Sequence, residues 1–275
     1  MEDFDMKYAV FTGVTGGLGG AVAREMTKTG WTVFALGRNK KELEELSKIE
    51  NMVPMSVDVV VQEDLDRAKE EILKVTDKLD AVINFAGYQK MCSMIEGDCV
   101  NLIEKSLQIN IMGMVRVNRT FIDMVMKGNG RIVNCGSECG YLTPQPFNGP
   151  YTMSKYAVDA YCDSLRRELM FVGVPVIQIV PGSFKTRMHD SASASFQALY
   201  DGTQLYKGIL GKMKPIMEHE LKNANDPVYL IKATMKALNK KNPKARYRVK
   251  NSGMLRMLEI FPHQLLDWAY KIFLS

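Results

Sequence analysis

The chain has 275 residues, of which 46% are hydrophobic and 24% are charged, so collagen-like, mucin-like and wholly disordered classes are excluded. The net charge of +5 is too small to indicate a nucleic-acid partner by itself. The charge is uneven, because residues 205–275 hold 14 basic and 5 acidic side chains whereas the first 204 residues are slightly acidic.

Apolar runs of strand length alternate with longer amphipathic segments, an order typical of βαβ units and a parallel sheet. Six strands are predicted, at residues 8–11, 32–36, 53–57, 79–85, 131–135 and 174–180. Helices are predicted between them, up to residue 29 after the first strand and then over residues 40–48, 63–75, 100–126 and 151–173. The fold class is therefore α/β, a doubly wound parallel sheet of the Rossmann type with helices on both faces.

The last third of the chain has a different pattern. Residues 188–225 show weak periodicity and several glycines, and we interpret them as a substrate lid ahead of a helix that begins near residue 226. After a short strand candidate at residues 246–249, residues 250–275 form an amphipathic tail that Pro262 divides into two helices. One α/β domain thus accounts for nearly all of residues 1–275.

A glycine-rich segment, residues 13–20, lies between the first strand and the first helix. Glycines there let the backbone turn sharply and approach a pyrophosphate, which then sits at the helix N-terminus. Glycines also occur in ordinary strand-to-helix turns, but the place of this segment in the first turn of a six-strand series favours a dinucleotide site.

The end of the second strand distinguishes the two nicotinamide cofactors, since a carboxylate there binds the ribose of NAD and an arginine accommodates the 2′-phosphate of NADP. The sequence places Arg38 at this point, followed by Lys40 and Lys41, with no acidic residue within reach. This favours NADP(H). The alternative is that these cations are only the solvated start of a helix.

A tyrosine and a lysine four residues apart, Tyr151 and Lys155, share one face of a predicted helix. A lysine cation favours the phenolate and lowers the pKa of a tyrosine, which makes the phenol a usable general acid and base. Three other features stand nearby in the predicted fold: Ser137 after the fifth strand, Asn110 within a helix, and residues 181–182 after the sixth strand.

Taken together, these pieces follow one order along the chain: Thr12-Gly-x-x-x-Gly17-x-Gly19, Asp58-Val59, Asn84-x-Ala86-Gly87, Asn110, Ser137, Tyr151-x-x-x-Lys155 and Pro181-Gly182-x-x-Lys185-Thr186. They resemble the short-chain dehydrogenase/reductase family, in its short single-domain branch, over residues 6 to roughly 250. The resemblance implies NAD(P)(H)-dependent oxidation of an alcohol or reduction of a carbonyl.

The resemblance also implies roles for the catalytic residues. Tyr151 would donate the proton to the carbonyl oxygen, which Ser137 would orient. Lys155 would hold the nicotinamide ribose and lower the pKa of Tyr151, and Asn110 would help to hold a water in the proton relay. Tyr151 and Lys155 also count as cofactor-binding residues. The other predicted cofactor-binding residues are Gly13, Thr15, Gly16, Gly17, Leu18, Gly19, Arg38, Asp58, Val59, Asn84, Ala86, Gly87, Pro181, Gly182 and Thr186.

The predicted substrate residues are apolar or aromatic: Tyr141, Phe147, Phe184 and Met188. They suit a bulky hydrophobic alcohol or ketone. The segments 242–247 and 265–268 resemble the ending of retinol and hydroxysteroid dehydrogenases, so we expect an NADP(H)-dependent oxidoreductase acting on a hydroxysteroid. The alternatives are a retinoid or other lipid carbonyl substrate and, in another class, a non-catalytic NADP-sensing regulatory protein.

We expect a homodimer or homotetramer that binds neither nucleic acid nor metal, since the histidines are scattered and the cysteines lack zinc-site spacing. The acidic start has no apolar core, so we expect no signal peptide and a cytoplasmic protein with reduced cysteines. For the tail, packing within the protein or a dimer is favoured, and peripheral contact with an anionic bilayer is the alternative.

Overall fold

The computed structural model describes residues 6–274, with the side chains of residues 187–190 left out. The acidic start, on which the signal-peptide prediction rests, lies outside the described residues. Seven parallel strands form one sheet in the order β3-β2-β1-β4-β5-β6-β7. The strands are β1 Lys7–Thr12, β2 Trp31–Gly37, β3 Met52–Ser56, β4 Ala81–Asn84, β5 Arg131–Cys135, β6 Val176–Pro181 and β7 Arg246–Val249. The doubly wound α/β fold and the short strand at residues 246–249 are thereby confirmed.

Both faces of the sheet are covered, because alternate strand residues point to opposite sides. In β1, Ala9 and Phe11 join one buried apolar cluster and Val10 joins the other. The first six helices lie among these clusters or beside them. They are α1 Gly17–Thr27, α2 Lys40–Leu46, α3 Gln62–Leu73, α4 Cys99–Leu107, α5 Gly113–Lys127 and α6 Gly149–Leu169.

The single helix predicted over residues 100–126 is divided. A wider π-helical turn, Gln108–Met112, separates α4 from α5, and the Gly113 amide donates to the carbonyl of Gln108. Such turns are marked by their hydrogen bonding and are common at functional sites, and apolar periodicity alone does not reveal them.

The lid contains two helices that the sequence pattern did not predict, α7 Arg187–Gly202 and α8 Lys207–Lys222. They pack around their own apolar cluster, in which Phe196 and Leu210 are buried with Phe147. The turn between them is held by Glu96, whose carboxylate accepts hydrogen bonds from the Thr203 hydroxyl and two backbone amides. Tertiary contacts therefore outweigh the weak periodicity and the internal Pro215.

The chain continues with α9 Val228–Asn239 and, after β7, enters the tail. The tail forms α10 Gly253–Leu258 and α11 His263–Leu274, divided around Pro262 as predicted. It packs against the segment that follows β5: the Ser252 amide donates to Glu138 at 2.6 Å, and the Tyr141 hydroxyl donates to Asn251 at 2.9 Å. Within the described residues, no helix is both long and apolar enough to cross a membrane.

Candidate active site

The turn after β1 is shaped by glycines that tolerate no side chain. Gly13 has a φ of +81°, and a Cβ there would lie 2.4 Å from the amide nitrogen of Ala86. A Cβ on Gly19 would lie 2.3 Å from the carbonyl oxygen of Gly13. The turn therefore lies directly against the backbone after β4, and only bare backbone fits there.

The N-terminus of α1 fits a bound pyrophosphate. Gly16 occupies the N-cap position without a side-chain cap, and no acidic residue stands in the first turn. A Cβ on Gly17 would lie 3.1 Å from Cβ of Thr186, so the segment after β6 lies over this turn. Backbone amides and the helix dipole there suit an anion, which the residues of this turn would hold. Thr15 lies at the end of β2 near Gly37, and Leu18 packs on the main core.

Arg38 does not stand apart from acidic residues. Its guanidinium lies 3.2 Å from the carboxylate of Asp58. Since β3 pairs with β2 in parallel, the ends of the two strands meet at the same edge of the sheet. The expectation that no acid lies within reach of Arg38 is therefore wrong, because it considered only neighbours in sequence. Arg38 is nevertheless largely exposed and can reach a phosphate there.

Asn84 is buried, and its side chain forms hydrogen bonds with other buried side chains. Its amide donates to Asn118 at 2.7 Å and to Asn134 at 3.0 Å. Asn118 and Asn134 were not predicted from the sequence, although a lone asparagine in the apolar strand 131–135 was a signal. Buried polar groups need such partners. The Asn84 side chain thus braces β4 against β5 and α5, below the surface that a cofactor would touch.

The remaining predicted cofactor residues differ in their surroundings. Val59 is buried in the core, whereas Gly87 is exposed after β4. Ala86 donates its amide to the Thr12 hydroxyl. Pro181 ends β6, and a Cβ on Gly182 would lie 2.1 Å from the carbonyl oxygen of Lys250. Gly182 therefore serves the close approach of the tail, a role the sequence did not indicate.

Ser137, Tyr151 and Lys155 come together at the carboxyl ends of β5 and β6. Ser137 follows β5, and the other two lie in the first turns of α6. All three side chains are buried. The ammonium of Lys155 donates to the carbonyl of Cys135 at 3.0 Å and lies 5.6 Å from the ring centroid of Tyr151.

Burial raises the pKa of Tyr151 well above its usual value, and the nearby Cys139 thiol adds to this rise. A hydrogen bond with Ser137 acts in the opposite direction. Burial also lowers the pKa of Lys155. The pKa of Tyr151 thus lies on the opposite side of its usual value from the one expected for a phenol beside Lys155, because burial of the phenol is the largest contribution. Tyr151 is therefore a neutral phenol near neutral pH.

Asn110 lies in the π-helical turn and is fully buried. Its side-chain oxygen accepts from the Tyr88 amide at 2.6 Å, and its amide donates to the Tyr88 carbonyl and to Ser154. Ser154 in turn donates to the Tyr151 carbonyl at 2.7 Å. The Asn110 side chain thus hydrogen-bonds to the Tyr88 backbone and to Ser154, and it positions the turn that carries Tyr151.

The family model described as short chain dehydrogenase matches residues 7–196, more than half of the chain. This chain belongs to the short-chain dehydrogenase family. It is therefore an oxidoreductase, and this family uses a nicotinamide cofactor.

Two relatives show the extent of the similarity to other short-chain dehydrogenases. The NADPH-dependent 3-dehydrocapnine reductase of Ornithobacterium rhinotracheale is 30% identical, with 95% of each chain covered. The 17-beta-hydroxysteroid dehydrogenase type 6 of Rattus norvegicus is 31% identical, over 88% of this chain and 80% of the relative. A short-chain dehydrogenase from Burkholderia phymatum, solved with NAD, has a TM-score of 0.78 at 20% identity, covering 98% of this chain and 97% of that one. That last likeness shows the fold.

The predicted substrate residues of this short-chain dehydrogenase are not gathered into one wall. Phe147 is buried in the lid cluster, edge-on to Tyr206 with ring centroids 5.2 Å apart. Tyr141 lies beneath the tail, with the guanidinium of Arg248 over its ring at 4.5 Å. Phe184 is buried in the main core, and its place on the substrate wall stays a prediction. The side chain of Met188 lies outside the described residues.

The part of the chain that the structure describes contains no cluster of possible metal ligands. Residues 6–274, apart from the side chains at 187–190, hold no group of three or more histidine, cysteine or acidic side chains that could bind an ion.

Proposed function

We propose that this short-chain dehydrogenase interconverts a secondary alcohol and a ketone on a bulky hydrophobic substrate, with NADP(H) as cofactor and residues 1–275 acting as one domain. The observation that carries the proposal is the burial of Ser137, Tyr151 and Lys155 together, beside a glycine turn that suits a dinucleotide. A neutral phenol held in this position is a proton donor for a carbonyl oxygen.

A bound nicotinamide cofactor supplies the hydride. In reduction, Tyr151 gives its phenolic proton to the carbonyl oxygen of the substrate. Because burial raises the pKa of this phenol, proton transfer requires the phenolate to be stabilised by its neighbours. The Ser137 oxygen accepts a hydrogen bond from the Cys139 amide at 3.2 Å, which fixes the hydroxyl beside the phenol. Ser137 therefore orients the carbonyl oxygen toward Tyr151.

Lys155 stabilises the phenolate that Tyr151 becomes after it has given up its proton. Its ammonium is anchored on the Cys135 carbonyl and lies 5.6 Å from the tyrosine ring, so the attraction grows when the phenol ionises. The same group would hold the nicotinamide ribose. Asn110 acts indirectly, since it hydrogen-bonds to Ser154, which in turn holds the backbone carbonyl of Tyr151.

The preference for NADP(H) rests on Arg38 and on the lysines that follow it at the end of β2. The guanidinium is exposed, so it can leave Asp58 to bind a 2′-phosphate in the bidentate manner that arginine favours. A relative similar over nearly its full length is named as NADPH-dependent, which supports this choice.

A hydroxysteroid is the first substrate class that we propose, because a relative of that name shares 31% of its residues over most of the chain. A second candidate, a retinoid or another lipid carbonyl, is favoured by the similarity to a relative named retinol dehydrogenase 16, 33% identical over 72% of this chain. Both suit the methionine-rich and aromatic lid cluster, whose members are apolar or aromatic.

The test is the substitution Tyr151→Phe, assayed for NADPH oxidation with a hydrophobic ketone. Removing the proton donor lowers kcat by roughly 10³-fold or more while NADPH binding, followed by fluorescence, stays unchanged. Tyr156→Phe is the matched control: Tyr156 lies on the same helix but is exposed, and its hydroxyl donates to the Leu142 carbonyl, away from the phenol of Tyr151. It keeps nearly full activity.

Retention of activity by Tyr151→Phe would refute the assignment of this residue as proton donor. If the unaltered protein binds NADPH and reduces no ketone or aldehyde in a broad panel, the regulatory alternative gains and the enzymatic proposal fails.

A further inference from the structure

The last helix of the tail, α11, has two apolar faces. One face packs inward, with Leu266 buried and Tyr270 half-buried against the protein. The other face presents Leu265, Trp268 and Ile272, which are spaced three and four residues apart and are all exposed. The exposed face continues onto neighbouring residues. This tail apolar surface consists of Met254, Met257, Ile260, Phe261, Leu265, Trp268, Ile272 and Phe273.

This surface is larger than folding alone explains. Single exposed apolar residues are ordinary on soluble proteins, whereas a contiguous group of large ones marks a surface that binds something. Trp268 is 60% exposed and Phe273 is 77% exposed. The inner face of α11 already holds the helix on the protein, so the outer face is not needed to fix the tail.

The tail apolar surface lies beside the proposed active site. Ser252, at the start of α10, donates its amide to Glu138, the residue directly after Ser137. The Tyr270 hydroxyl donates to Gln145, and Glu259 accepts from both the amide and the hydroxyl of Thr143. The tail is thus attached along the whole segment that follows Ser137, and whatever covers its outer face adjoins the entrance to the site.

The charges near this surface favour an anionic partner. Arg256 and Lys271 project from the two tail helices, and Arg248 and Lys250 are exposed where the tail begins, so cations outnumber the tail's two acidic side chains, Glu259 and Asp267. Residues 205–275 together hold 14 basic and 5 acidic side chains. An apolar face with tryptophan and phenylalanine, flanked by lysine and arginine, is the composition of helices that lie at a bilayer interface. A second copy bound symmetrically would place two surfaces of the same positive net charge against each other, which is unfavourable.

We propose that the tail apolar surface docks on a bilayer with anionic headgroups, so that the site takes its hydrophobic substrate from the membrane. The aromatic side chains enter the interface, and the cations at its margin remain with the phosphate groups. Docking does not depend on the enzymatic activity proposed above, whereas delivery of the substrate rests on it.

The experiment measures co-sedimentation of the full chain with vesicles of phosphatidylcholine, with and without added phosphatidylserine. The double variant Trp268→Ser/Phe273→Ser lowers the partition coefficient by about tenfold or more, since two large apolar groups no longer enter the interface. Arg256→Gln/Lys271→Gln leaves binding to neutral vesicles unchanged and reduces the gain from phosphatidylserine. All altered residues are exposed, and thermal unfolding checks that the variants fold as the parent does.

Phe171→Ser is the matched control, because Phe171 is 82% exposed and lies in the turn before β6, whereas the tail packs near the residues that follow the strands. It binds vesicles as the unaltered chain does. Vesicle binding that is absent in the unaltered chain, or equal in the Trp268→Ser/Phe273→Ser variant, overturns the proposal. So does a dimer that this variant splits while vesicle binding is unchanged, because the surface is then an interface between copies.

A kinetic measurement separates docking from delivery. With a hydrophobic ketone dissolved in vesicles, Trp268→Ser/Phe273→Ser raises KM, whereas with a water-soluble ketone its kcat and KM match those of the unaltered chain. Equal loss with both ketones contradicts delivery, since the change then acts on the site itself. Vesicle binding without any turnover leaves docking supported and counts against the proposed enzymatic function alone.

Discussion

The floor of the site and its covering segments are held in different ways. The floor, formed by β1, β4, β5 and the helices behind them, buries its polar side chains in a network joined through Asn84, Asn118 and Asn134. The lid and tail are attached by hydrogen bonds to single carboxylates, the half-buried Glu96 for the lid and the buried Glu138 for the tail. The difference indicates that the proposed reacting groups are fixed by a network of buried side chains, whereas the segments proposed to meet the substrate depend on a few carboxylates.

Alanine substitutions of glycines give the largest expected difference in stability between the floor and its covering segments. Gly13→Ala places a Cβ against the backbone after β4 and forces a left-handed residue, so it lowers the free energy of unfolding by about 3 kcal/mol or more. Gly182→Ala also meets backbone, 2.1 Å from the Lys250 carbonyl oxygen, but Gly182 needs no positive φ, so the loss is about 2 kcal/mol. Urea denaturation measures both.

Gly30→Ala is the control for these substitutions, because Gly30 has a φ of +82° and a Cβ added there would meet nothing within 4 Å. It costs about 1 kcal/mol from backbone strain alone. If Gly182→Ala destabilises the chain as much as Gly13→Ala does, the tail is as rigidly held as the floor and the contrast is wrong.

Substitution of Arg38 tests the end of the floor at which we propose that the cofactor binds. Arg38→Ala raises KM for NADPH by roughly tenfold, the effect of losing one charged hydrogen-bond donor, and leaves KM for NADH unchanged. Asp58→Asn lowers KM for NADPH, because the carboxylate no longer competes for the guanidinium. Lys48→Ala, at an exposed pair with Glu45, is the control and alters neither. Equal effects on both cofactors would show that Arg38 does not read the 2′-phosphate.

Protonation or substitution of Glu96 tests how the lid is attached, and its expected effect is the smallest of those described. The Thr203 hydroxyl, with the amides of Gln204 and Leu205, holds the pKa of Glu96 below its usual value of 4.5. A lowered folded-state pKa means that the ionised carboxylate supports the lid above pH 4.5 and that this support is lost as pH falls through the lower value.

Hydrogen exchange at Gln204 and Leu205, corrected for intrinsic rates, therefore becomes faster as pH falls below 4.5. Glu96→Gln raises exchange at neutral pH and removes this dependence, while Glu104→Gln on an exposed part of α4 changes neither. Exchange that is independent of pH in the unaltered chain would mean that the lid is held by its apolar cluster alone.

Local patterns in the sequence predicted most of the floor. The strands follow from the alternating apolar runs, and the glycine turn and the pair of Tyr151 and Lys155 depend only on short spacings. What the sequence did not predict depends on contacts between distant segments. Asp58 and Arg38 follow the ends of two neighbouring strands and meet there. Phe184 is buried because it joins the apolar cluster that α9 covers.

The helices of the lid and the contacts of the tail were predicted least well, for a related reason. The glycines and Pro215 weaken the helical pattern of the lid, and only its contacts with Phe147 and Glu96 explain why two helices form. The contact of Ser252 with Glu138 joins residues 114 positions apart, which no periodicity shows. The buried asparagines belong to the same class, since a polar residue in a strand does not name its partner.

The most direct test of the proposed function is NADPH oxidation followed at 340 nm with hydroxysteroid ketones, retinal and small ketones, in parallel with NADH. Hydrophobic ketones are reduced with NADPH at a kcat/KM at least tenfold above that with NADH, roughly the value of one charged contact to the 2′-phosphate. A preference for NADH, or the absence of turnover with every carbonyl compound, contradicts the account.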